Sequence, residues 1–151
     1  MKTFLTLGLI ICLNLGMTSC SSSQTFHSNK ATSEKIMSTL NNTSWVLKRL
    51  DVENRDFKPT KEQKELVLSF TDNYYGSSDG CNGQGGDFTI EDNKVTFGIG
   101  MSTMRYCGEE MKHLIYSVPF LKTKTITIKG KQLQLIDESG KVIATYIKKE
   151  A

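Results

Sequence analysis

Glycine and cysteine are concentrated in residues 77–90, SSDGCNGQGGDFTI, a composition found in phosphate-binding loops, around reactive thiols and in tight bends. A phosphate-binding loop runs directly into a helix, whose N-terminus holds the anion. Here the glycines run into DFTIEDNKVTF, which has the pattern of strand, turn and strand, and neither G-x-G-x-x-G nor G-x-x-x-x-G-K-[ST] fits. We therefore expect a bend. Positive φ angles or a close crossing of two backbones would explain Gly80, Gly83, Gly85 and Gly86.

Cys81, inside this stretch, has Cys107 as its expected partner. The other two cysteines of the chain, Cys12 and Cys20, lie near its start. In an exported protein the two remaining cysteines most simply form a disulfide, and two free, buried thiols are the next alternative. Closing a loop of about 26 residues would stabilise the fold by roughly 3.5 kcal/mol.

A reactive thiol at Cys81 or Cys107 would need a histidine base that a third residue orients. His113 follows in CGEEMKHLIYSVP, a segment with helical periodicity, but it lies about 200° around that helix from Met111, away from the apolar stripe. Two thiols and one exposed histidine also do not make a tetrahedral metal site. We expect no catalytic residue, no metal and no cofactor. A cysteine-dependent hydrolase or redox enzyme is the alternative.

The start of the chain has the features of an export signal. An uncharged apolar run from Thr3 to Gly16 is too short for a membrane-spanning helix and suits the core of a secretory signal. Cys20 follows Met-Thr-Ser, which is similar to the lipobox of bacterial lipoproteins, whereas Cys12 follows two isoleucines. We expect a lipoprotein signal over residues 1–19 and lipidation of Cys20. An ordinary secretory signal cut nearby is the alternative.

Lipid on Cys20 would be the contact of the protein with a membrane. Each buried CH₂ contributes about 0.8 kcal/mol, so two or more acyl chains make the attachment firm. We expect an exported, monomeric protein of the bacterial cell envelope, anchored to the outer membrane. Another envelope protein or a small molecule would be its partner. The formal net charge of +3 is too small and too dispersed for nucleic acid.

The sequence predicts three regions: the signal, a lipidated N-terminus with a flexible tether over residues 20–39, and a folded domain over residues 40–151. Ser21 to Lys35 is rich in Ser, Thr and Asn, which is typical of a tether. At its end, Ser33 could cap a short helix. The apolar residues of that helix would be Ile36, Met37 and Leu40.

Alternating apolar and polar residues predict strands from Ser44 onward, joined by short polar turns. A helical stripe before Pro119 predicts one main helix. The fold class is therefore α+β, with a strongly bent, mainly antiparallel and partly barrel-like sheet that the helix packs against. The expected core is Trp45, Leu47, Leu68, Phe70, Phe88, Phe97, Leu135 and, on the helix, Leu114 and Ile115. The strand KVTFGIGM is expected to alternate inward at Val95, Phe97, Ile99 and Met101.

Five blocks of this sequence, NNTSWVLKRL, LVLSF, GCNGQGGDF, STMRYC and KGKQLQLIDESGK, resemble successive motifs of the META/HslJ domain family. The resemblance covers about residues 40–148. Where the family often has Met-Ala-Cys, this chain has Arg105-Tyr106-Cys107. The matching positions are Thr43, Trp45, Leu47, Leu68, Phe70, Gly80, Cys81, Asn82, Gly86, Phe88, Ser102, Thr103 and Cys107.

The resemblance implies a compact α+β domain, often carried by bacterial envelope lipoproteins. The best-known bacterial member is heat-induced and linked to novobiocin tolerance. No enzymatic activity is established for the family as a whole, so the resemblance supplies no catalytic residues. We expect a lipid-anchored, non-enzymatic binding or maintenance module in envelope stress or drug tolerance.

Overall fold

The computed structural model describes residues 23–52, 55–61, 65–108 and 118–150. The elements are α1 (Ser23–Leu40), β1 (Thr43–Val52), β2 (Arg55–Phe57), β3 (Val67–Thr71), β4 (Tyr74–Ser78), β5 (Gly83–Glu91), β6 (Lys94–Phe97), β7 (Met101–Ser102), a 3-10 turn (Phe120–Lys122), β8 (Thr123–Lys129), β9 (Gln132–Asp137) and β10 (Val142–Lys148). The expected helix before Pro119, with His113, Leu114 and Ile115, falls on residues 109–117, outside the described part of the chain.

Eight of the described strands form one antiparallel barrel, in the order β1-β3-β4-β5-β6-β8-β9-β10. The last strand pairs back with the first, from Lys148 opposite Trp45 to Ala144 opposite Leu50. Off this path, β2 extends the sheet beside the end of β1, and β7 pairs with β5. The predicted class, α+β with a bent and barrel-like antiparallel sheet, is confirmed.

The barrel interior includes most of the side chains that the strand alternation predicted. All seven expected strand residues are buried: Trp45, Leu47, Leu68, Phe70, Phe88, Phe97 and Leu135. Three aromatic rings, those of Tyr75, Phe97 and Phe120, pack on one another with centroids 4.7 to 5.0 Å apart. They lie beside the seam between β6 and β8, where the described strands pair only through Lys94 and Thr125.

The segment expected to be a flexible tether is helical from Ser23 onward. Leu40 is fully buried, and Ile36 and Met37 pack against the core, as predicted for the short helix. The composition of residues 23–35 is that of a solvated segment, and helix α1 has no acidic residue in its first turn. The local sequence therefore favours a helix only weakly, and packing of the C-terminal half of α1 on the barrel stabilises it.

Two hydrogen bonds fix α1 to turns at one end of the barrel. Ser33 lies inside the helix rather than at its cap, and its hydroxyl accepts the backbone N–H of Asp92 in the β5–β6 turn, at 2.6 Å. Just after the helix, the side-chain oxygen of Asn41 accepts the N–H of Asp72 in the β3–β4 turn, at 2.8 Å. Successive turns of antiparallel strands alternate between the two ends, so the β4–β5 turn lies at the end opposite these contacts.

The inward positions predicted after Phe97 are wrong. Ile99 is 94% exposed and Met101 is 82% exposed. Strand β5 pairs Phe88 with Phe97 but Gly85 with Met101, so the segment from Phe97 to Met101 contains one residue more than the segment opposite. A single extra residue turns every later side chain to the other face of the sheet. Phe97 therefore faces the core while Met101 faces outward.

Candidate functional site

Cys81 and Cys107 form a disulfide, with their Cα atoms 6.0 Å apart. The bond joins the β4–β5 turn to the segment that follows β7. The expected pairing therefore agrees with the structure, and the Cα separation lies within the range of about 4.4–6.8 Å that disulfides adopt. The alternative of two free thiols does not agree with it.

The turn that carries Cys81 is organised by Asp79. One carboxylate oxygen accepts the backbone N–H of Cys81 at 2.8 Å and that of Asn82 at 2.5 Å. The N–H of Asp79 donates to the carbonyl of Asn82 at 3.0 Å. Between them, Gly80 has a φ of 88°, which a residue with a side chain rarely adopts. An aspartate that bonds its own backbone two and three residues on is a frequent turn device.

Asn82 ties this turn to the segment after β7. Its carboxamide oxygen accepts the hydroxyl of Thr103 at 3.0 Å and the N–H of Arg105 at 2.7 Å. Its nitrogen donates to the carbonyl of Arg105 at 3.1 Å and lies 3.1 Å from the sulfur of Cys107. The Asn82 side chain thus holds the β4–β5 turn against the segment that follows β7, next to the disulfide. The sequence placed Asn82 within a matching motif without giving it this role.

The glycines of the stretch serve different purposes. A Cβ on Gly85 would come within 2.6 Å of the Tyr75 carbonyl oxygen, and one on Gly86 within 2.8 Å of the Gly100 Cα. These are the close backbone approaches that the sequence predicted, and Gly80 is the positive-φ position. Gly83 needs neither, because its φ is not positive and its Cβ would meet nothing closer than 3.7 Å. That part of the prediction is wrong.

A cleft opens beside this turn, at the end of the barrel opposite the α1 contacts. Its buried floor is apolar, and its more exposed rim carries hydroxyl, amide and carboxylate groups. The cavity volume is about 30 Å³, which is room for one or two water molecules. The floor is Leu47, Leu66, Val118 and Tyr146, and the rim is Ser77, Ser78, Asp79, Asn82, Gly83, Gln84 and Ser102.

Tyr146 is the unusual member of the cleft. Its side chain is 1% exposed, and its hydroxyl has no hydrogen-bond partner among the described residues. Burial raises the pKa of this phenol, so the hydroxyl stays protonated. A buried hydroxyl left without a partner costs about 1–3 kcal/mol. Tyr146 was not singled out from the sequence, which contains no signal for the missing partner.

The remaining predicted sites are not brought into this region. Cys12, Cys20 and His113 all lie outside the described residues. Within the described part of the chain, no three His, Cys, Asp or Glu residues are grouped in a way that could hold a metal ion. No helix among the described residues is both long and apolar enough to cross a membrane.

The architecture is that of a small antiparallel barrel, closed by its first and last strands and pinned at one end by a disulfide. A family model described as the META domain matches residues 38–150. The chain belongs to the META domain family. No curated protein gives a significant match.

Two solved structures have the same fold. The NMR structure of a protein from Burkholderia xenovorans is 19% identical, with a TM-score of 0.58, and the match covers 78% of this chain and 88% of that one. A second NMR structure is 20% identical with a TM-score of 0.55, over 73% of this chain and 92% of its own. At these identities the likeness concerns the fold alone.

Proposed function

We propose that this protein is a lipid-anchored, non-enzymatic binding or maintenance module of the bacterial envelope, acting in envelope stress or drug tolerance. The cleft beside the Cys81–Cys107 disulfide carries the binding part of the proposal. It combines a buried apolar floor with a polar rim, as small-molecule sites do, in a cavity of about 30 Å³ that holds one or two small groups. Its partner is a small molecule or a group on another envelope protein.

The anchor part of the proposal rests on the sequence around Cys20. Lipid on Cys20 would precede α1 by only a few residues, and α1 packs on the barrel end opposite the cleft. An anchor there leaves the cleft open to partners in the envelope compartment. The proposed location is the outer membrane, and the proposed state is a monomer.

The anchor is tested by Cys20→Ala, with Cys12→Ala as the matched control. We expect Cys20→Ala to leave the membrane fraction and to lose labelling by palmitate, because lipid on this residue is the proposed attachment. Cys12→Ala should stay membrane-bound and labelled. Cell fractionation with a high-salt wash, followed by immunoblotting, measures both. Sedimentation of Cys20→Ala with washed membranes would contradict the proposal.

A further inference from the structure

Strand β8 extends beyond the strand that lies beside it in the barrel. Strand β6 begins at Lys94, and in the turn before it the carbonyl of Asn93 accepts the N–H of Ile126 at 3.0 Å. Past this bond, residues 127–129 of β8 pair with β9 on one side. On their other side lies no strand of the described chain. The barrel therefore has a short open edge next to the β5–β6 turn, which we call the β8 edge.

The backbone groups of Ile128 face the β8 edge. In an antiparallel strand the N–H and C=O of one residue point to the same side, and successive residues alternate between the two sides. Ile126 points its N–H towards β6, so Ile128, two residues on, points its N–H and C=O the same way, past the beginning of β6. An edge whose N–H and C=O groups meet no neighbouring strand is a template for an added strand.

An open groove runs along the β8 edge, with residues of α1 as its other wall. Its volume is about 910 Å³, against about 30 Å³ for the cleft beside the disulfide. Ile36 of α1 and Ile128 of β8 line it, and both are half-buried and pack against the core. The groove thus offers apolar side chains beside unused backbone groups, with room for a short extended peptide.

The charged residues that line the groove are two lysines. Lys35 of α1 and Lys129 of β8 are both exposed. Within the described parts of the chain, no carboxylate lines the groove and neither ammonium group makes an ion pair. The acid next to Lys35 on the helix, Glu34, lies 3.8 Å from Lys30 instead. The groove therefore favours acidic side chains and opposes basic ones.

We propose that the β8 edge binds a short extended segment of another protein, in which apolar and acidic residues alternate, as an additional strand. The backbone of the segment pairs with the N–H and C=O of Ile128. Its apolar side chains contact Ile36 and Ile128, and its carboxylates lie near Lys35 and Lys129. The groove lies at the α1 end of the barrel, opposite the cleft, so the proposal rests neither on the cleft nor on the anchor.

The first test compares capped peptides added to the full-length protein in a non-ionic detergent. The acidic peptide is Val-Glu-Val-Glu-Val, the basic control has Lys in place of Glu, and a third peptide is the acidic one with methylated backbone nitrogens. Fluorescence anisotropy of the labelled peptides measures binding. We expect saturable binding of the acidic peptide and affinities weaker by about tenfold or more for the other two, because they lose the charge attraction or the backbone bonds.

The outcomes of this comparison are distinct. No saturable binding of the acidic peptide, or equal binding of the basic or the methylated peptide, would overturn the proposal. Octyl phosphate, an anion with an alkyl chain and no peptide group, is the probe for a lipid headgroup and is added as a competitor. Displacement of the acidic peptide at equal concentrations would assign the groove to anionic lipid and would also overturn the proposal.

Amide hydrogen exchange locates the bound segment. The N–H of Ile128 faces the β8 edge, whereas those of Thr127 and Lys129 face β9, so in the free protein Ile128 should exchange fastest of the three. Saturation with the acidic peptide should slow exchange at Ile128 by about tenfold or more, the effect of a new hydrogen bond. Unchanged exchange at Ile128 in the saturated complex would show that the peptide binds elsewhere and refute the assignment.

Charge reversal assigns the selectivity to the two lysines. Lys35→Glu and Lys129→Glu should each weaken binding of the acidic peptide about threefold or more and strengthen binding of the basic one. Lys124→Glu, at an exposed lysine of the same strand that does not line the groove, should bind as the parent does. Parent-like selectivity in both groove variants would leave the lysines as protection of an edge strand against pairing, and would contradict the proposed acidic partner.

Discussion

Two turns at the same end of the barrel are each organised by an aspartate and a positive-φ glycine. In the β9–β10 turn, one oxygen of Asp137 accepts the N–H of Ser139 at 2.9 Å, its hydroxyl at 2.7 Å and the N–H of Lys141 at 3.0 Å. Gly140 there has a φ of 84°, against 88° for Gly80. All of these bonds join residues of the β9–β10 turn to one another. The β4–β5 turn adds a disulfide and the four contacts of Asn82 to residues more than twenty positions away.

The difference shows how one local device can serve two purposes. A turn whose backbone hydrogen bonds are made by its own residues only has to reverse the direction of the chain. The β4–β5 turn also forms part of the rim of a cleft, so its position relative to β7 and the segment beyond matters. Long-range bonds fix that position, and we expect their loss to cost far more than the loss of a bond within the β9–β10 turn.

The largest effect is expected from removing the disulfide. Replacing Cys81 and Cys107 together by Ser should lower the free energy of unfolding by roughly 2–4 kcal/mol, because the loop of the unfolded chain is no longer closed. Urea unfolding followed by Trp45 fluorescence measures the loss. Reductant should destabilise the parent by a similar amount and leave the double variant unchanged. Equal stability of parent and variant, or titratable thiols in the denatured parent without reductant, would contradict a structural disulfide.

A smaller effect is expected from the carboxamide of Asn82. Asn82→Ala removes three bonds to nitrogen or oxygen atoms of Thr103 and Arg105, each with a net value of about 1 kcal/mol, so a loss of about 2–3 kcal/mol is expected. Ser139→Ala, the matched change in the β9–β10 turn, removes one bond from an exposed hydroxyl and should cost about 1 kcal/mol or less. Equal losses from the same unfolding measurement would show that the long-range contacts add nothing to the β4–β5 turn.

The sequence predicted much of the barrel because strand alternation is a local property. The buried positions of β1, β3, β5 and β9 follow from it, and two cysteines in a chain that is expected to be exported suffice to suggest their pairing. Strand β4 was missed because Tyr74 and Tyr75 adjoin small residues with little alternation, although Tyr75 is buried and Tyr74 is 46% exposed. The helical part of residues 23–35 was missed because barrel packing, rather than composition, holds α1 in place.

The candidate site was less predictable than the fold. Asn82 acts on residues 103–105, and only the three-dimensional register brings them beside it. Tyr146 is an ordinary inward residue of a strand until the cavity and the missing partner of its hydroxyl are known. The outward turn of Met101 depends on one extra residue opposite β5. Local patterns do not contain these facts, because each depends on which residues face one another across the barrel.

The smallest effect is expected from pH at the β9–β10 turn. The hydroxyl of Ser139 and two backbone N–H groups hold the pKa of Asp137 below its ordinary value. This contribution to stability is fully present above the ordinary carboxyl pKa and is lost as the pH falls through the lowered native pKa. Asp137→Asn should remove this dependence of the free energy of unfolding on pH. Ser139→Ala should narrow the pH range over which that free energy falls. Profiles that coincide for parent and Asp137→Asn would contradict the prediction.

Pairing of the first strand with the last has a consequence for how the chain folds. The barrel is complete only when β10 pairs with β1. The hydrogen bond between Ser33 and Asp92 likewise joins positions 59 residues apart. Contacts between distant parts of the sequence carry a large loop-closure cost before they contribute, so folding is expected to be slow compared with that of a helical bundle of equal size. The barrel cannot be completed during synthesis until β10 has left the ribosome. A chain of this topology therefore keeps its barrel open until its last strand, β10, is available to pair with β1.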